Sequence, residues 1–332
     1  MRIILTLVLC SVTAFAQSPP AKRLVVRVPQ PWNGTMVIGA HGGSGGAARD
    51  RSGRVYATAE TALDDVIGDY AFRNGFGYAS VDRDGIGGTV EGAALTQQFA
   101  DWVRATHSPL RTYIVGLSAG GGIARRMAEA TPAAFDGALI IAGAGGDVVT
   151  RLDRQQRMAA LWPLIDPRAH FGLSDTDPKI VAYAEAIGTP VAARRLWPYS
   201  GASAASFQPP TGTVENSTAR PSIPVIEVIG TWDDLAIREV RVYAERVSPK
   251  DRHRLYQVDG VWHMSGDDDG VQGFQYTAES RLQLPKDVAD AMGESPSYIP
   301  TVREAFEHLV RWVEKGQTPP PNQTVKPGAR LR

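Results

Sequence analysis

Gly116-Leu117-Ser118-Ala119-Gly120 places a serine between glycines, directly after the apolar run Tyr113-Ile114-Val115. A small-residue stretch, Gly120-Gly121-Gly122, follows it. A strand that turns this tightly into a helix needs glycine or near-glycine beside the serine. The turn lifts the hydroxyl above the strand end, next to a helix N-terminus. The bland alternative is a glycine-rich strand–helix turn with a solvated serine, and the surrounding pattern favours a nucleophile. A serine hydroxyl attacks poorly at neutral pH and needs a base.

Six histidines are available: His41, His107, His170, His253, His263 and His308. His308 sits within an amphipathic pattern and reads as surface or core. His107 closes a helical stretch before Ser108-Pro109, where a positive group suits the helix C-terminus. His170 falls in an aromatic, Pro-rich region. His253 lies between two arginines and is expected in solvent. His263 follows the apolar run Leu255-Tyr256-Gln257-Val258 by the short loop Asp259-Gly260-Val261-Trp262, which puts it at the C-terminal edge of a sheet, where sites of open α/β folds lie. His263 is the expected base. A carboxylate must then accept from the imidazole, fix its tautomer and stabilise the imidazolium. Thr231-Trp232-Asp233-Asp234 follows the apolar run Pro224–Gly230 and offers two. Asp233 is the expected acid, with Asp234 placed to cap a helix starting at Leu235, although either aspartate fits the role.

His41-Gly42-Gly43-Ser44-Gly45-Gly46 follows the apolar run Met36–Ala40. Glycines there let backbone N–H groups approach a developing oxyanion. The two donors are assigned to Gly43 and to Ala119, the residue after the serine, and His41 reads as structural. The segment lacks the Lys-Ser/Thr ending of a phosphate loop and the spacing of a dinucleotide site.

These groups are positioned by short apolar runs alternating with amphipathic stretches. Strands are expected at 24–28, 36–40, 76–81, 112–115, 138–141, 223–229 and 254–258. Helices are expected at 60–74, 92–106, 119–130 and 300–315. The alternation implies βαβ units and a mostly parallel sheet, an α/β fold. Residues 146–222 break the rhythm, rich in Trp, Tyr, Pro and Ala, and read as an inserted, mainly helical cap. Its aromatics, among them Trp162, Phe171, Tyr183, Trp197, Tyr199 and Phe207, suggest an apolar pocket over the serine. The expected organisation is therefore core at 17–145 and 223–315, a cap at 146–222 and a flexible tail at 316–332.

Residues 1–16 carry Arg2, an apolar run and the small-x-small ending Ala14-Phe15-Ala16, the pattern of a secretory signal peptide cleaved after Ala16. The run is too short to span a bilayer. The single cysteine, Cys10, lies inside it. Leu9 stands where a lipoprotein anchor on Cys10 needs a small residue. The processed chain then has no thiol for disulfide, nucleophile or metal ligand, and its core alone must stabilise it. Lys+Arg and Asp+Glu, 35 each, cancel to zero net charge, which argues against an electrostatic nucleic-acid binder. A hydrophobic share of 43% argues against large-scale disorder.

Taken together, the chain resembles an α/β-hydrolase-fold serine esterase over about 24–315. The carriers are the His41-Gly42-Gly43 segment, Asp82-Arg83-Asp84-Gly85-Ile86-Gly87 after the next strand, the turn around Ser118, Gly230-Thr231-Trp232-Asp233 and the late His263. The order Ser118, Asp233, His263 is that of α/β-hydrolases. Pro31-Trp32-Asn33-Gly34-Thr35 is similar to secreted bacterial members near tannases and feruloyl esterases. Tannases pair cysteines beside the serine and the histidine, where this chain has Leu117 and Trp262. The resemblance implies an exported esterase acting on a small-molecule ester through an acyl-enzyme, with no cofactor, metal, nucleic acid or membrane span. An amidase or peptidase with the same residues, and a non-catalytic binding protein on the same fold, are the alternatives. Asp267-Asp268-Asp269-Gly270 lacks the spacing of a calcium loop and reads as a solvated turn. Asn33, Asn216 and Asn322 head glycosylation sequons that matter only in a glycosylating host.

Overall fold

The computed structural model describes residues 18–21, 23–43, 47–49, 55–57, 64–83, 90–144, 153, 156–157, 160–161, 173–196, 216–263 and 296–332. The expected leader at 1–16, His170, Asp267–Gly270 and all the named cap aromatics except Tyr183 lie outside these residues.

Ten strands are present among the described residues: β1 Leu24–Arg27, β2 Thr35–Ala40, β3 Ala47–Arg49, β4 Val55–Ala57, β5 Gly77–Val81, β6 Arg111–Leu117, β7 Gly137–Ile141, β8 Val225–Gly230, β9 His253–Val258 and β10 Gln323–Val325. Eight of them form one sheet in the order β1-β5-β2-β6-β7-β8-β9-β10. β1 runs antiparallel to β5, and the remaining pairs are parallel. β3 and β4 make a separate antiparallel pair that the sequence pattern did not indicate. The helices are α1 Asp69–Arg73, continuing a π-helical turn at Asp64–Gly68, then α2 Val90–His107, α3 Ala119–Glu129, α4 Pro178–Ile187, α5 Ile237–Arg246 and α6 Ile299–Lys315.

The central strands read as continuous apolar runs because helices cover both faces of the sheet. Side chains alternate between those faces. Val37, Tyr113, Val115, Leu139 and Val228 pack with Val302, Phe306 and Leu309 of α6. Met36, Ile38, Ile114, Ala138 and Ile140 pack with Phe99 and Val103 of α2 and with Ile123 and Met127 of α3. Each Val, Leu, Ile, Met or Phe side chain among them contributes roughly 1.5–3 kcal/mol on full burial. This is the α/β architecture expected from the alternation of elements.

In the region expected as a cap, the described elements are helical: α4 and a 3₁₀ turn at Val191–Leu196. Asp177 caps α4 by accepting the Lys179 N–H at 2.9 Å, and Gly188 ends it in the left-handed conformation, φ 82°. Tyr183 is buried in a local cluster with Ile180, Ala184 and Ile187.

Two expectations are corrected. The segment after Gly316, expected to fray, carries β10, which pairs with β9 and buries Val325 and Leu331. Its Pro-rich approach is pinned by Asn322 Oδ1, which accepts the Leu255 N–H at 2.9 Å, and by the Pro320 carbonyl, which accepts from Tyr256 Oη at 2.9 Å. His253, expected in solvent, is 3% exposed and lies 3.6 Å from the buried carboxylate of Glu227. Arg254, the next residue of β9, points to the opposite face of the sheet, and Arg252 lies in the 3₁₀ turn Lys250–Arg252 before the strand, so neither charge reports on where the His253 side chain goes.

Candidate active site

Strand β6 ends at Leu117 and α3 begins at Ala119, so one residue, Ser118, makes the whole turn. It does so at φ 52°, ψ −118°, a conformation that L-residues avoid. Such strain costs of order 1–3 kcal/mol and persists only where the surroundings impose it. The Ser118 N–H donates to the Ile141 carbonyl at 2.9 Å. The Ser118 carbonyl accepts from Gly121 N–H at 2.8 Å and from Ala144 N–H at 2.9 Å. The glycines are sterically required: a Cβ on Gly116 would lie 2.2 Å from the Gly120 carbonyl oxygen, and one on Gly120 would lie 1.9 Å from that of Ala40. A Cβ on Gly121 would meet Gly143 Cα at 2.4 Å, so α3 sits against the strand ends with no room for side chains.

The structure brings Ser118, His263 and Asp233 together. His263 Nε2 lies 2.9 Å from Ser118 Oγ, and His263 Nδ1 lies 2.8 Å from Asp233 Oδ2. With Asp233 as a carboxylate acceptor, Nδ1 carries the ring proton and Nε2 accepts from the serine hydroxyl. Asp233 is fully buried and His263 is 5% exposed, so the relay is largely shielded from water. The loop bearing His263 is tied to the loop after β8. Trp232 N–H donates to the Val261 carbonyl at 3.0 Å, Gly260 N–H donates to Thr231 Oγ1 at 3.0 Å, and Tyr298 Oη donates to the His263 carbonyl at 3.1 Å. Tyr298 carries no sequence signal, because it enters from the start of α6, far along the chain.

The two aspartates divide their work differently from expectation. Asp233 Oδ1 accepts the backbone N–H groups of Leu235 at 3.0 Å and Ala236 at 2.9 Å, so the residue facing His263 is also the one holding the turn before α5. Asp234 is not that cap. Its Oδ1 accepts the indole N–H of the fully buried Trp262 at 3.1 Å.

Gly43 has a left-handed φ of 58°, and Ala119 is the first residue of α3, where backbone N–H groups have no intrahelical acceptor. Neighbouring Gly42 runs alongside the serine: a Cβ there would sit 3.2 Å from Ser118 Cβ. His41 is buried and engaged at both ring nitrogens. Nδ1 lies 2.7 Å from the Gly42 carbonyl, and Nε2 accepts from the Arg83 N–H at 3.2 Å. Burial, aided by the Arg83 charge, pushes His41 down to about 4, so its ring is neutral at ordinary pH. Sequence reasoning missed Arg83, although it stands inside the Asp82–Gly87 motif. Its Nη2 donates to the His41 carbonyl at 2.8 Å and to the Gly43 carbonyl at 2.6 Å.

A second buried cation braces the serine turn from the α3 side. Arg125 donates to both oxygens of Glu227, at 2.8 and 3.0 Å, and to the Gly143 carbonyl at 3.0 Å, next to the Ala144 N–H that binds Ser118. Burial raises Glu227, but the Arg125 charge and His253 outweigh it and hold the carboxyl at about 2. His107 closes α2, and His308 lies partly covered on α6 near Glu304. Among the described residues no group of three or more His, Cys, Asp or Glu could hold a metal ion. No helix among them is long and apolar enough to cross a membrane.

No curated protein matches the chain. Solved structures similar to it include a proline iminopeptidase from Mycobacterium smegmatis, at 15% identity and TM-score 0.46, covering 85% of this chain and 95% of that one. An esterase from Exiguobacterium antarcticum matches at 13% identity and TM-score 0.41, covering 79% and 95%. A lidless serine hydrolase from Xanthomonas campestris matches at 12% identity and TM-score 0.41, covering 79% and 89%. The family described as alpha/beta hydrolase domain matches residues 78–329, well over half of the chain, and the protein belongs to that family.

Proposed function

We propose that the protein is an exported serine hydrolase that cleaves a small-molecule carboxylic ester through an acyl-enzyme. The observation that carries this reading is the unbroken hydrogen-bonded line from Ser118 Oγ through both ring nitrogens of His263 to Asp233. His263 takes the serine proton as Ser118 Oγ attacks the ester carbonyl. The N–H groups of Gly43 and Ala119 receive the oxyanion. His263 returns the proton to the leaving alcohol, and water then repeats the sequence on the acyl-enzyme. Asp233 holds the tautomer that makes Nε2 the base and stabilises the imidazolium. The nucleophile, base and orienting charge are all side chains, so the proposed steps call on no cofactor.

Export rests on the leader-like residues 1–16, with cleavage after Ala16 and a cysteine-free processed chain. Residues 146–222 are assigned as a cap over the site. Within the family, Pro31-Trp32-Asn33-Gly34-Thr35 favours the secreted neighbourhood of tannases and feruloyl esterases. Leu117 and Trp262, in place of the tannase cysteines, favour a site held by packing and hydrogen bonds.

The test is turnover of matched ester and amide substrates by the wild-type chain and by Ser118→Ala. Ester turnover that is lost in the variant, with amides turned over far more slowly, is expected. Amides turned over as fast as esters would replace the esterase with an amidase. Full ester turnover in Ser118→Ala would overturn the reading.

A further inference from the structure

We propose that Arg83 is a positioning residue for the oxyanion donor Gly43: its guanidinium fixes the carbonyls of His41 and Gly43, on either side of the Gly42–Gly43 peptide that His41 Nδ1 orients, so that the Gly43 N–H faces the carbonyl under attack. This rests on the serine-hydrolase reading and deepens it.

Three consecutive carbonyls, those of His41, Gly42 and Gly43, each meet a buried side-chain nitrogen. Arg83 Nη2 donates to His41 O at 2.8 Å and to Gly43 O at 2.6 Å. A carbonyl can only accept, so His41 Nδ1 must be the donor to Gly42 O at 2.7 Å. That leaves Nε2 bare to accept the Arg83 N–H at 3.2 Å, and one residue thereby fixes both the histidine tautomer and its neighbours' carbonyls. In a trans peptide the C=O and N–H point in opposite directions across one plane. Drawing Gly42 O toward His41 therefore turns the Gly43 N–H the other way, and drawing His41 O toward Arg83 does the same for the Gly42 N–H. The segment abuts the nucleophile, with the Gly42 Cβ position 3.2 Å from Ser118 Cβ.

Glycine needs such an external brace. Gly43 adopts φ 58°, and no described residue comes within 4 Å of its Cβ position. Donors aimed in advance at the developing charge are worth more than donors that must reorient during the reaction. A guanidinium suits the task because its donors sit in a rigid plane, whereas a lysine ammonium ends a flexible stem. Arg83 is 1% exposed, and burial lowers it only to about 10, so it remains charged at neutral pH.

The experiment compares wild type, Ser118→Ala, Arg83→Lys and Arg83→Met. The readouts are kcat per active site titrated with a fluorophosphonate, KM, and affinity for a trifluoromethyl ketone that forms a tetrahedral adduct on Ser118. Arg83→Met is expected to lower kcat per titrated site by about 10²-fold, the scale of losing one oxyanion donor. KM should stay within about threefold, since the loss falls on the transition state. Affinity for the ketone should fall with kcat, and Arg83→Lys should recover about tenfold. A purely structural arginine would change the number of titratable sites and leave kcat per site alone. The proposal is overturned if kcat per site stays within about threefold of wild type, if ketone affinity does not follow kcat, or if neither variant folds. Turnover surviving in Ser118→Ala is a separate result: it removes the serine-hydrolase reading, and the role of Arg83 with it.

Discussion

Asp234 holds Trp262: its Oδ1 accepts the indole N–H at 3.1 Å, one residue along from the 2.8 Å contact between Asp233 and His263. Two adjacent acids on the loop after β8 thus grip two adjacent residues on the loop after β9. One contact orients the His263 ring, and the other anchors the loop that carries it.

The two aspartates should therefore separate in mutants. Asp233→Asn keeps an oxygen for the Leu235 and Ala236 N–H groups but turns its amide toward His263 Nδ1, which favours the wrong tautomer. A fall in kcat of about 10⁴ is expected. Asp234→Ala should leave kcat within about tenfold and lower stability by about 1–3 kcal/mol, the cost of removing a buried acceptor. Steady-state kinetics with denaturant midpoints check both, and the opposite ranking would make Asp234 the acid.

The strained turn predicts an inverted stability order at Ser118. Ser118 sits at φ 52°, which glycine adopts freely and alanine does not. Ser118→Gly should be more stable than Ser118→Ala by roughly 1 kcal/mol, although both lose the hydroxyl. Urea unfolding of the two inactive variants measures the difference, and equal midpoints would argue against strain at this residue.

Ser118 and His263 were legible in the sequence because each sits at the end of an apolar strand, where local pattern and chemistry agree. Which aspartate faces His263 was not legible. The residues are adjacent, and only the turn decides that Asp233 both holds the next backbone and reaches the imidazole. The expected choice, Asp233, lies against His263, but the reason given for it differs from the structure: Asp233 itself holds the turn before the helix, and Asp234 accepts from Trp262. Arg83 and Tyr298 act on backbone carbonyls, and such contacts depend on which chain segment lies opposite, which no local spacing encodes. β10 escaped notice because three residues after a proline run form a strand only when the edge of β9 is there to pair with. The main sheet was readable for the converse reason, that burial on both faces writes itself as unbroken apolar runs.

Stability should decline in acid in two steps. His41 is held at about 4 in the fold against 6.5 when unfolded, so the unfolded chain takes up the proton first. Stability is complete above 6.5 and falls as the pH drops toward 4, by on the order of 3 kcal/mol. Glu227, held at about 2 against 4.5, adds a further loss below pH 4.5. His41→Asn should flatten the upper step and leave the lower one. Urea midpoints from pH 7 to pH 3 test this, and an unchanged slope in the variant would assign the upper step elsewhere.

The Arg125–Glu227 pair is buried at both ends, 1% exposed each. Glu227→Leu should cost about 3–5 kcal/mol because it strands a buried guanidinium, and Arg125→Met with Glu227→Leu should recover much of that. A double-mutant cycle reads the coupling, and additive losses would mean that the ions act independently.

The central claim is that Ser118 is a nucleophile activated by His263. Its most direct measurement is the mass of the intact protein after brief exposure to a fluorophosphonate at neutral pH, followed by peptide mapping. The account predicts a single adduct on Ser118, absent in Ser118→Ala and formed far more slowly in His263→Ala. A folded wild-type chain that stays unmodified, or an adduct on another residue, would contradict it.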